Sequence, residues 1–435
     1  MSTMLHPYLN QVERNSTLRW WGRVTEATGQ LVESEGPFCA VGECCEIIDG
    51  GGHVYEGEVV GFRGPTVLSM ALEKVEGVRY GDRITTWGAH PSLGVGDGLV
   101  GRVIDGSGAV IDGGPRVRVE QYWPLHSAPP LPLERVPISD PMSCGVRAID
   151  GLITAGRGQR LGIFGGSGVG KSTLIGMMAR GSAADVIVLA LVGERGREVR
   201  EFLEKALGED GRRRSAVVVS TSDQPPLLRI RAALAASSVA EYFCSRGRNV
   251  LLVVDSLTRV AMAQREIGLA AGEPPTSRGY TPSVFALLAR LIERAGRFGT
   301  GSITAFYTVL MEGDDQQDPL IDTVRALLDG HIVLDRRLNM QNHFPPVSVL
   351  DSLSRLMTSV CSREHLDKAR RMRKLLAAHA ASEDLIRVGA YQKGLDPVLD
   401  RAVAALPAIN TFLQQETERA APFEETVAAL AALPE

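Results

Sequence analysis

The sequence predicts an α/β nucleotide-binding core with a small β-rich domain before it and a helical domain after it. Three observations predict this fold. Strand and helix patterns alternate from about residue 142 to residue 362, as in a parallel sheet covered by helices on both faces. Short strand-like runs separated by glycine-rich turns fill residues 18–90, which favours a small barrel or sandwich. From residue 363 to residue 435 only helical patterns remain.

The bulk composition is that of an ordinary water-soluble protein. A chain of 435 residues with 44% hydrophobic content suffices for about three domains. The net charge of −4 gives no reason to expect a nucleic-acid partner. We expect the six cysteines to be free thiols, because they form no repeated C-x-x-C pair and no secretory leader is recognisable. These features predict a cytoplasmic protein.

Residues 1–17 form a separate segment. Leu5, Tyr8, Leu9 and Val12 recur at helical spacing, and so short a helix cannot bury its apolar stripe within itself. The segment is therefore either a docking helix for a partner or a frayed terminus. After the β-rich region, residues 92–114 are linker-like and then hairpin-like, and residues 115–141 form a proline-rich connector that leads to the core.

The core begins with a phosphate-binding pattern. The segment RLGIFGGSGVGKST at 160–173 fits G-x-x-x-x-G-K-[ST], and it has a strand-like run before it and a helical pattern after it, as a P-loop requires. A chance glycine-rich turn would need all three features to coincide. The predicted nucleotide-binding residues are Gly165, Gly166, Ser167, Gly168, Val169, Gly170, Lys171, Ser172 and Thr173.

The chemistry of a P-loop explains these residue types. Main-chain N–H groups at a helix N-terminus bind phosphate only if side chains leave room, which glycine provides. Lys171 is then expected to contact the β- and γ-phosphates of ATP, and the Ser172 hydroxyl to bind Mg²⁺.

Two further strands end in acidic residues. The apolar run at 185–192 leads into GERGRE at 193–198, which places Glu194, Arg195 and Glu198 at the carboxyl end of a strand, where open α/β sheets bind ligands. We expect the helix that follows to end at Gly208. The run at 249–255 ends in Asp255, in the manner of a Walker B element, and Asp255 is expected to orient the water shell of Mg²⁺.

Several motifs together resemble the bacterial type III export ATPases, which are similar to the catalytic subunit of the rotary ATP synthases. The motifs are GERGREV at 193–199, DSLTR at 255–259, AMAQREI at 261–267, GEPP at 272–275, SITAFYTV at 302–309 and EGDDQQDP at 312–319. GAYQKG at 389–394 favours the flagellar branch over the virulence-secretion branch. The resemblance implies a β-barrel domain at 18–90, a RecA-like ATPase domain at 91–362, a helical domain at 363–435, and a homo-hexameric ring with active sites between subunits.

The resemblance also implies roles for single residues. Glu194 activates the attacking water, Arg195 faces the phosphates, and Arg355 of the SLSR segment at 352–355 reaches the site of the adjacent subunit. Phe344 stands beside the adenine, where the family often has tyrosine. Ser172, Asp255 and Glu198 are assigned to Mg²⁺.

Four partners are implied by the resemblance, with no nucleic acid among them. They are a stator-like regulator at the N-terminal segment, a central stalk-like coiled coil, the membrane-embedded export gate, and export chaperones with their substrates. The protein would then be cytoplasmic and peripherally associated with the inner-membrane export apparatus.

Four alternatives remain at this point. One is a virulence-type secretion ATPase. A rotary ATP synthase subunit is disfavoured by GAYQKG and by the spacing after Glu194. A noncatalytic ring subunit is disfavoured because Lys171, Glu194 and Asp255 are all present. An RNA helicase would need aromatic residues amid basic ones, and few basic residues lie beside those of the β-rich region.

Overall fold

The computed structural model describes residues 18–311 and 318–434. The predicted docking segment at 1–17 and residues 312–317 of the EGDDQQDP motif lie outside these ranges. Within the two described ranges, every helix is too short or too polar to cross a membrane.

The β-rich region closes into a barrel, which decides between the two predicted alternatives. Its strands are β1 Trp20–Thr28, β2 Leu31–Glu35, β3 Cys44–Ile48, β4 Val54–Arg63, β5 Thr66–Ala71 and β6 Arg83–Thr86. They are hydrogen-bonded in the order β1-β2-β5-β4-β3-β6, and β6 pairs back with β1. Alternate side chains such as Val24, Ile47 and Ile84 point into the barrel and are fully buried, as period-2 alternation requires.

The remaining strands build the core and its connections. They are β7 Ser92–Val95, β8 Val103–Asp105, β9 Gln121–Pro124, β10 Pro141–Met142, β11 Ala155–Gly156, β12 Arg160–Gly165, β13 Val186–Glu194, β14 Ser215–Thr221, β15 Asn249–Asp255, β16 Gly296–Arg297, β17 Ser302–Leu310, β18 Gly330–Leu334 and β19 Val347–Ser354.

One large sheet positions the functional residues. Its order is β19-β18-β12-β17-β15-β13-β14-β8, and β16 pairs with β17. All neighbours in that order are parallel except β18 and β19. The strands β12, β13 and β15 therefore end at the same edge, which brings the P-loop, Glu194 and Asp255 together.

The predicted hairpin at residues 103–113 is present but short. Ile104 and Val110 form an antiparallel bridge, and the backbone N–H groups of Asp105 and Ile111 donate to the carbonyl oxygens of Ala109 and Val103 at 2.9 and 3.0 Å. The first arm, β8, also pairs in parallel with β14, and its residues Val103 and Ile104 pack into the core. The turn itself is held by Asp105, whose carboxylate accepts hydrogen bonds from the backbone N–H groups of Ser107 and Ala109.

Helices cover both faces of the sheet and form the C-terminal region. They are α1 Arg147–Leu152, α2 Lys171–Gly181, α3 Gly196–Glu201, α4 Gly208–Arg213, α5 Pro226–Ser245, α6 Leu257–Ala271, α7 Pro282–Glu293, α8 Pro319–Leu327, α9 Arg336–Met340, α10 Met357–Val360, α11 Arg363–Ala381, α12 Glu383–Arg387, α13 Pro397–Leu413 and α14 Phe423–Ala431. Barrel, α/β core and helical region together confirm the predicted fold class.

The helix expected to end at Gly208 does end there. It starts as α3, passes through a π-helical turn at Phe202–Leu207 and is capped by Gly208, where the short helix α4 begins. Gly208 has φ 64° and ψ −177°, a combination open essentially to glycine alone. The glycine therefore separates the first helical segment from α4.

The helical region and the P-loop contribute to the same buried cluster. Phe412 and Leu413 of α13 belong to the same buried cluster as Val169 and Leu174, which flank Lys171. The C-terminal helices and the phosphate-binding loop thus share one hydrophobic core.

Candidate active site

The loop between β12 and α2 has the backbone geometry of a phosphate cradle. Gly168 and Gly170 have φ of 75° and 103°, in the left-handed region that favours glycine. Gly170 directly precedes the first turn of α2, so the free N–H groups of a helix N-terminus lie at the loop.

Lys171 lies folded over this loop. Its side chain is buried, and its Nζ donates to the carbonyl oxygen of Gly166 at 3.1 Å. Burial lowers the pKa of Lys171, although the charges of Asp255 and Glu194 oppose this effect. An anionic phosphate would therefore meet an ammonium group that is already partly desolvated.

Asp255 lies at the end of β15 with its carboxylate buried. The hydroxyl of Thr308 on β17 donates to its Oδ1 at 2.6 Å. Burial raises the pKa of Asp255, while Thr308, Lys171 and Arg259 act in the opposite direction.

Glu194 and Glu198 meet at the carboxyl end of β13. Burial and the neighbouring carboxyl groups of Glu198 and Asp255 raise the pKa of Glu194 to about 7. The Arg195 side chain is 81% exposed and lies 3.8 Å from a Glu198 carboxylate oxygen. Arg195 is thus free to turn toward a bound anion.

Arg259 is a site residue to which the sequence reasoning gave no role. It lies in the first turns of α6, four residues after Asp255, and Gly193 packs so tightly against it that an added Cβ would lie 2.9 Å from its Cβ. Within the described residues its buried Nε has no hydrogen-bond partner. An arginine at this spacing after a strand-ending aspartate was the available signal.

These groups border one cavity of about 680 Å³. The residues lining it include Ser167, Gly168, Gly170, Lys171, Ser172, Thr173, Glu194, Arg195, Glu198, Asp255, Arg259 and Arg336. Gly165, Gly166 and Val169 are buried beneath the loop. The structure thus places most of the predicted phosphate, metal and water-activating residues around a single space.

Phe344 lies elsewhere, in a second cavity of about 720 Å³. This cavity is lined by Arg147, Asn342 and a stretch of the C-terminal region from Thr411 to Ala421. The Gln415 N–H donates to the Phe344 carbonyl at 2.8 Å, and Pro346 lies beside Gly170. The sequence reasoning missed the 414–421 stretch, which carries no motif and becomes a neighbour only through the fold.

Arg355 does not line the phosphate cavity of its own chain. It is exposed, directly follows β19, and its backbone N–H donates to the Asp329 carbonyl at 2.9 Å. Its guanidinium is available to a neighbouring molecule.

The donor set suits a magnesium ion that arrives with a nucleotide. Among residues 18–311 and 318–434, no group of three or more His, Cys, Asp or Glu residues is placed to hold a metal. The Ser172 hydroxyl and the carboxylates of Asp255 and Glu198 nevertheless border the same cavity. Magnesium is commonly bound by one or two carboxylates together with phosphate oxygens and water, so these residues fit it.

Comparisons with known proteins agree with this geometry. The ATP synthase alpha/beta family nucleotide-binding domain matches residues 145–354, and the beta-barrel domain of that family matches residues 24–88. The T3SS EscN ATPase C-terminal domain matches residues 361–432.

Individual relatives match over nearly the full chain. The flagellum-specific ATP synthase of Bacillus subtilis is 50% identical over 424 residues, which cover 97% of each protein. The type 3 secretion system ATPase of Xanthomonas euvesicatoria is 47% identical and covers 94% of this chain and 93% of its own. The assembled ATPase EscN of enteropathogenic E. coli, solved with its central stalk EscO, superposes with a TM-score of 0.87 at 43% identity, over 94% of this chain and 98% of its own. These matches confirm the family resemblance.

Proposed function

The chain belongs to the family of bacterial flagellar and type III secretion ATPases, and we propose that it hydrolyses Mg-ATP to energise flagellar-type protein export. One observation carries the catalytic part of this proposal. Lys171, Asp255 and Glu194 come from three separate strand ends and border the same cavity. A noncatalytic subunit would not need this complete set.

The P-loop binds the triphosphate. The N–H groups before and within the first turn of α2 bind phosphate oxygens, and the Lys171 ammonium leaves the Gly166 carbonyl to contact the β- and γ-phosphates. Ser172, Asp255 and Glu198 border the same cavity and would hold the magnesium ion and its water. When bound, Mg²⁺ neutralises charge on the phosphate oxygens during transfer.

Glu194 activates the water. A carboxyl group with a pKa of about 7 is partly ionised at neutral pH, so it accepts a proton from water and releases it again readily. Arg195 and Arg259 border the same space and stabilise the negative charge of the phosphoryl group.

Catalysis is completed in a homo-hexameric ring. Arg355 is exposed and lies away from its own phosphate cavity, which suits an arginine that enters the site of the adjacent subunit. Such arginines accelerate phosphoryl transfer by about 10³- to 10⁵-fold. The solved relative EscN is an assembled ATPase in complex with a central stalk, and we infer for this chain a ring of subunits and a stalk-like coiled-coil partner.

The flagellar branch is favoured by GAYQKG at 389–394 and by the flagellar relative at 50% identity. The further partners follow from that branch. They are a stator-like regulator at residues 1–17, the export gate, and chaperones with their substrates, which would keep the protein cytoplasmic at the inner-membrane export apparatus. The domain division at 18–90, 91–362 and 363–435 is part of the same proposal.

The test is the ATPase rate per subunit as a function of protein concentration, with Arg355→Ala alongside. The wild-type rate per subunit should climb with concentration, and the variant should stay low at every concentration while still binding nucleotide. Arg363→Ala is the matched control, because the Arg363 side chain is 96% exposed and forms an ion pair with Asp367 of its own helix at 3.9 Å.

The possible outcomes separate the claims. No hydrolysis at any concentration would overturn the ATPase function itself. An Arg355→Ala variant as active as wild type would overturn the shared active site and leave the ATPase function standing.

A further inference from the structure

Strand β17 lies between the P-loop strand β12 and β15, the strand that ends at Asp255. Its residue Thr308 is fully buried. The Thr308 hydroxyl donates to Oδ1 of Asp255 at 2.6 Å, so the aspartate assigned to magnesium is held from the side by a neighbouring strand.

A second hydrogen bond joins the same two elements. The backbone N–H of Leu310 donates to the hydroxyl of Thr258 at 2.9 Å, and Thr258 lies in the first turn of α6, three residues after Asp255. The end of β17 is thereby fixed to both sides of the Asp255 turn. This fixes the position of Thr308 relative to the carboxylate.

A buried carboxylate needs such a donor. A buried carboxylate without hydrogen bonds raises the free energy of the folded protein, because the interior has a low dielectric constant. Such a carboxylate turns toward the cations around it. For Asp255 those cations are Lys171 and Arg259. A direct Asp255–Lys171 ion pair would occupy the carboxylate and draw the ammonium away from the phosphates.

We propose that Thr308 is a positioning residue for magnesium binding, because its hydroxyl holds the Asp255 carboxylate in the orientation that receives the ion. The hydroxyl occupies Oδ1 and leaves the rest of the carboxylate for the metal and its water. This inference rests on the proposed function, since the ion arrives with the nucleotide. Hydrogen-bond partners of metal ligands commonly change metal affinity by about 10- to 100-fold.

The test is the affinity of the full chain for ADP, measured by competition with a fluorescent nucleotide, in Mg²⁺ and in EDTA. The ratio of the two affinities reports the contribution of the metal without any turnover. Thr308→Val replaces the hydroxyl by a methyl group of similar size, and Thr308→Ser keeps the hydroxyl.

Thr304→Val is the matched control. Thr304 lies four residues earlier on β17, is equally buried, and accepts a hydrogen bond from the Gly158 N–H at 2.9 Å. The Thr304→Val variant therefore removes a buried hydroxyl from the same strand, and this hydroxyl forms no hydrogen bond with Asp255 in the structure.

We expect Thr308→Val to reduce the Mg²⁺-dependent gain in affinity by about 10-fold and to leave the affinity in EDTA unchanged. Thr308→Ser and Thr304→Val should both keep the wild-type ratio. An unchanged ratio in Thr308→Val would overturn the inference, as would an equal loss in EDTA, because a merely structural role affects both conditions. If Thr308→Val does not fold, a wild-type ratio in Thr308→Ala overturns it instead. Wild-type protein that binds no ADP would overturn the proposed function as well.

Discussion

Glu194 and Glu198 border the same cavity at the carboxyl end of β13, where their negative charges act on each other. Burial comes first among the causes, and the neighbouring carboxyl groups of Glu198 and Asp255 add to it, so that the pKa of Glu194 rises to about 7. Glu198 therefore helps to bring the pKa of the proposed general base, Glu194, close to neutral pH.

The first prediction concerns pH. The kcat/KM for ATP should rise with pH and level off above about pH 7, because it reports the free enzyme and Glu194 must be ionised to accept a proton. Glu198→Gln should move this rising limb of the pH profile to lower pH. The amide removes the neighbouring negative charge and can donate a hydrogen bond to the Glu194 carboxylate, and both effects lower the pKa of Glu194. The measurement is the pH profile of kcat/KM at saturating Mg²⁺.

Glu204→Gln provides the control for that profile. Glu204 is an exposed acid of the next helical turn, paired with Arg200 at 2.8 Å, and its substitution should leave the limb in place. A limb that is unmoved by Glu198→Gln would contradict the coupling between the two carboxyl groups.

The second prediction concerns the general base itself. Glu194→Gln should lower kcat by about 10²- to 10⁴-fold and keep nucleotide affinity close to wild type, because Lys171 and the loop amides remain. Single-turnover hydrolysis and equilibrium ADP binding, measured on the same preparation, separate the two effects. Turnover at the wild-type level would show that Glu194 does not activate water.

The sequence allowed much of this site to be predicted, for a physical reason. Gly165 to Thr173, Glu194 and Asp255 each follow an apolar strand, and parallel strands deliver such ends to one edge of the sheet. Thr308 escaped notice because its hydrogen bond to Asp255 depends on strand order and on packing across strands. Periodicity in the sequence reveals a strand but not its neighbours.

Other features were unpredictable for a related reason. The pairing of β8 with β14 and the approach of residues 411–421 to Phe344 join positions far apart in the chain. Neither of these leaves a local pattern in the sequence.

The third prediction concerns the joint between barrel and core. Glu58 of β4 and Arg231 of α5 form an ion pair, and both side chains are almost completely buried. Removing one partner of such a pair costs about 3–5 kcal/mol. Glu58→Gln should therefore lower the free energy of unfolding by up to that amount in urea titrations.

The pH dependence of this joint has a definite sign. Burial opposes ionisation, but the imidazole of His126, 3.6 Å from a Glu58 carboxylate oxygen, and the charge of Arg231 lower the pKa of Glu58 below its usual value. A lowered carboxyl pKa stabilises the fold above the unfolded pKa, and this stability is lost as the pH falls through the folded pKa. The difference between wild type and Glu58→Gln should accordingly shrink in acid. Glu33→Gln, in the more exposed pair with Arg63, should cost at most about 1 kcal/mol, and an equal loss in both variants would contradict the role of the buried pair.

The last prediction tests whether Phe344 binds the adenine. The residue borders the cavity of about 720 Å³ beside the C-terminal stretch 411–421, and the adjoining Pro346 lies 3.5 Å from the position that a Cβ on Gly170 would take. Phe344 thus lies two residues from a proline that packs against the P-loop, which suits a residue that contacts the base of a nucleotide held there. Stacking of a base on an aromatic ring contributes about 1–3 kcal/mol, so Phe344→Ala should weaken Mg-ATP binding by about 5- to 150-fold. Phe344→Tyr should bind as wild type does.

Inorganic tripolyphosphate distinguishes adenine contact from damage to the loop. It has the phosphates of ATP without the base, so it should inhibit the wild type and Phe344→Ala equally if Phe344 contacts only adenine. A parallel loss of tripolyphosphate inhibition would mean that the substitution disturbs Pro346 and the P-loop beside it. In that case Phe344 supports the P-loop, and its assignment to the adenine would be wrong.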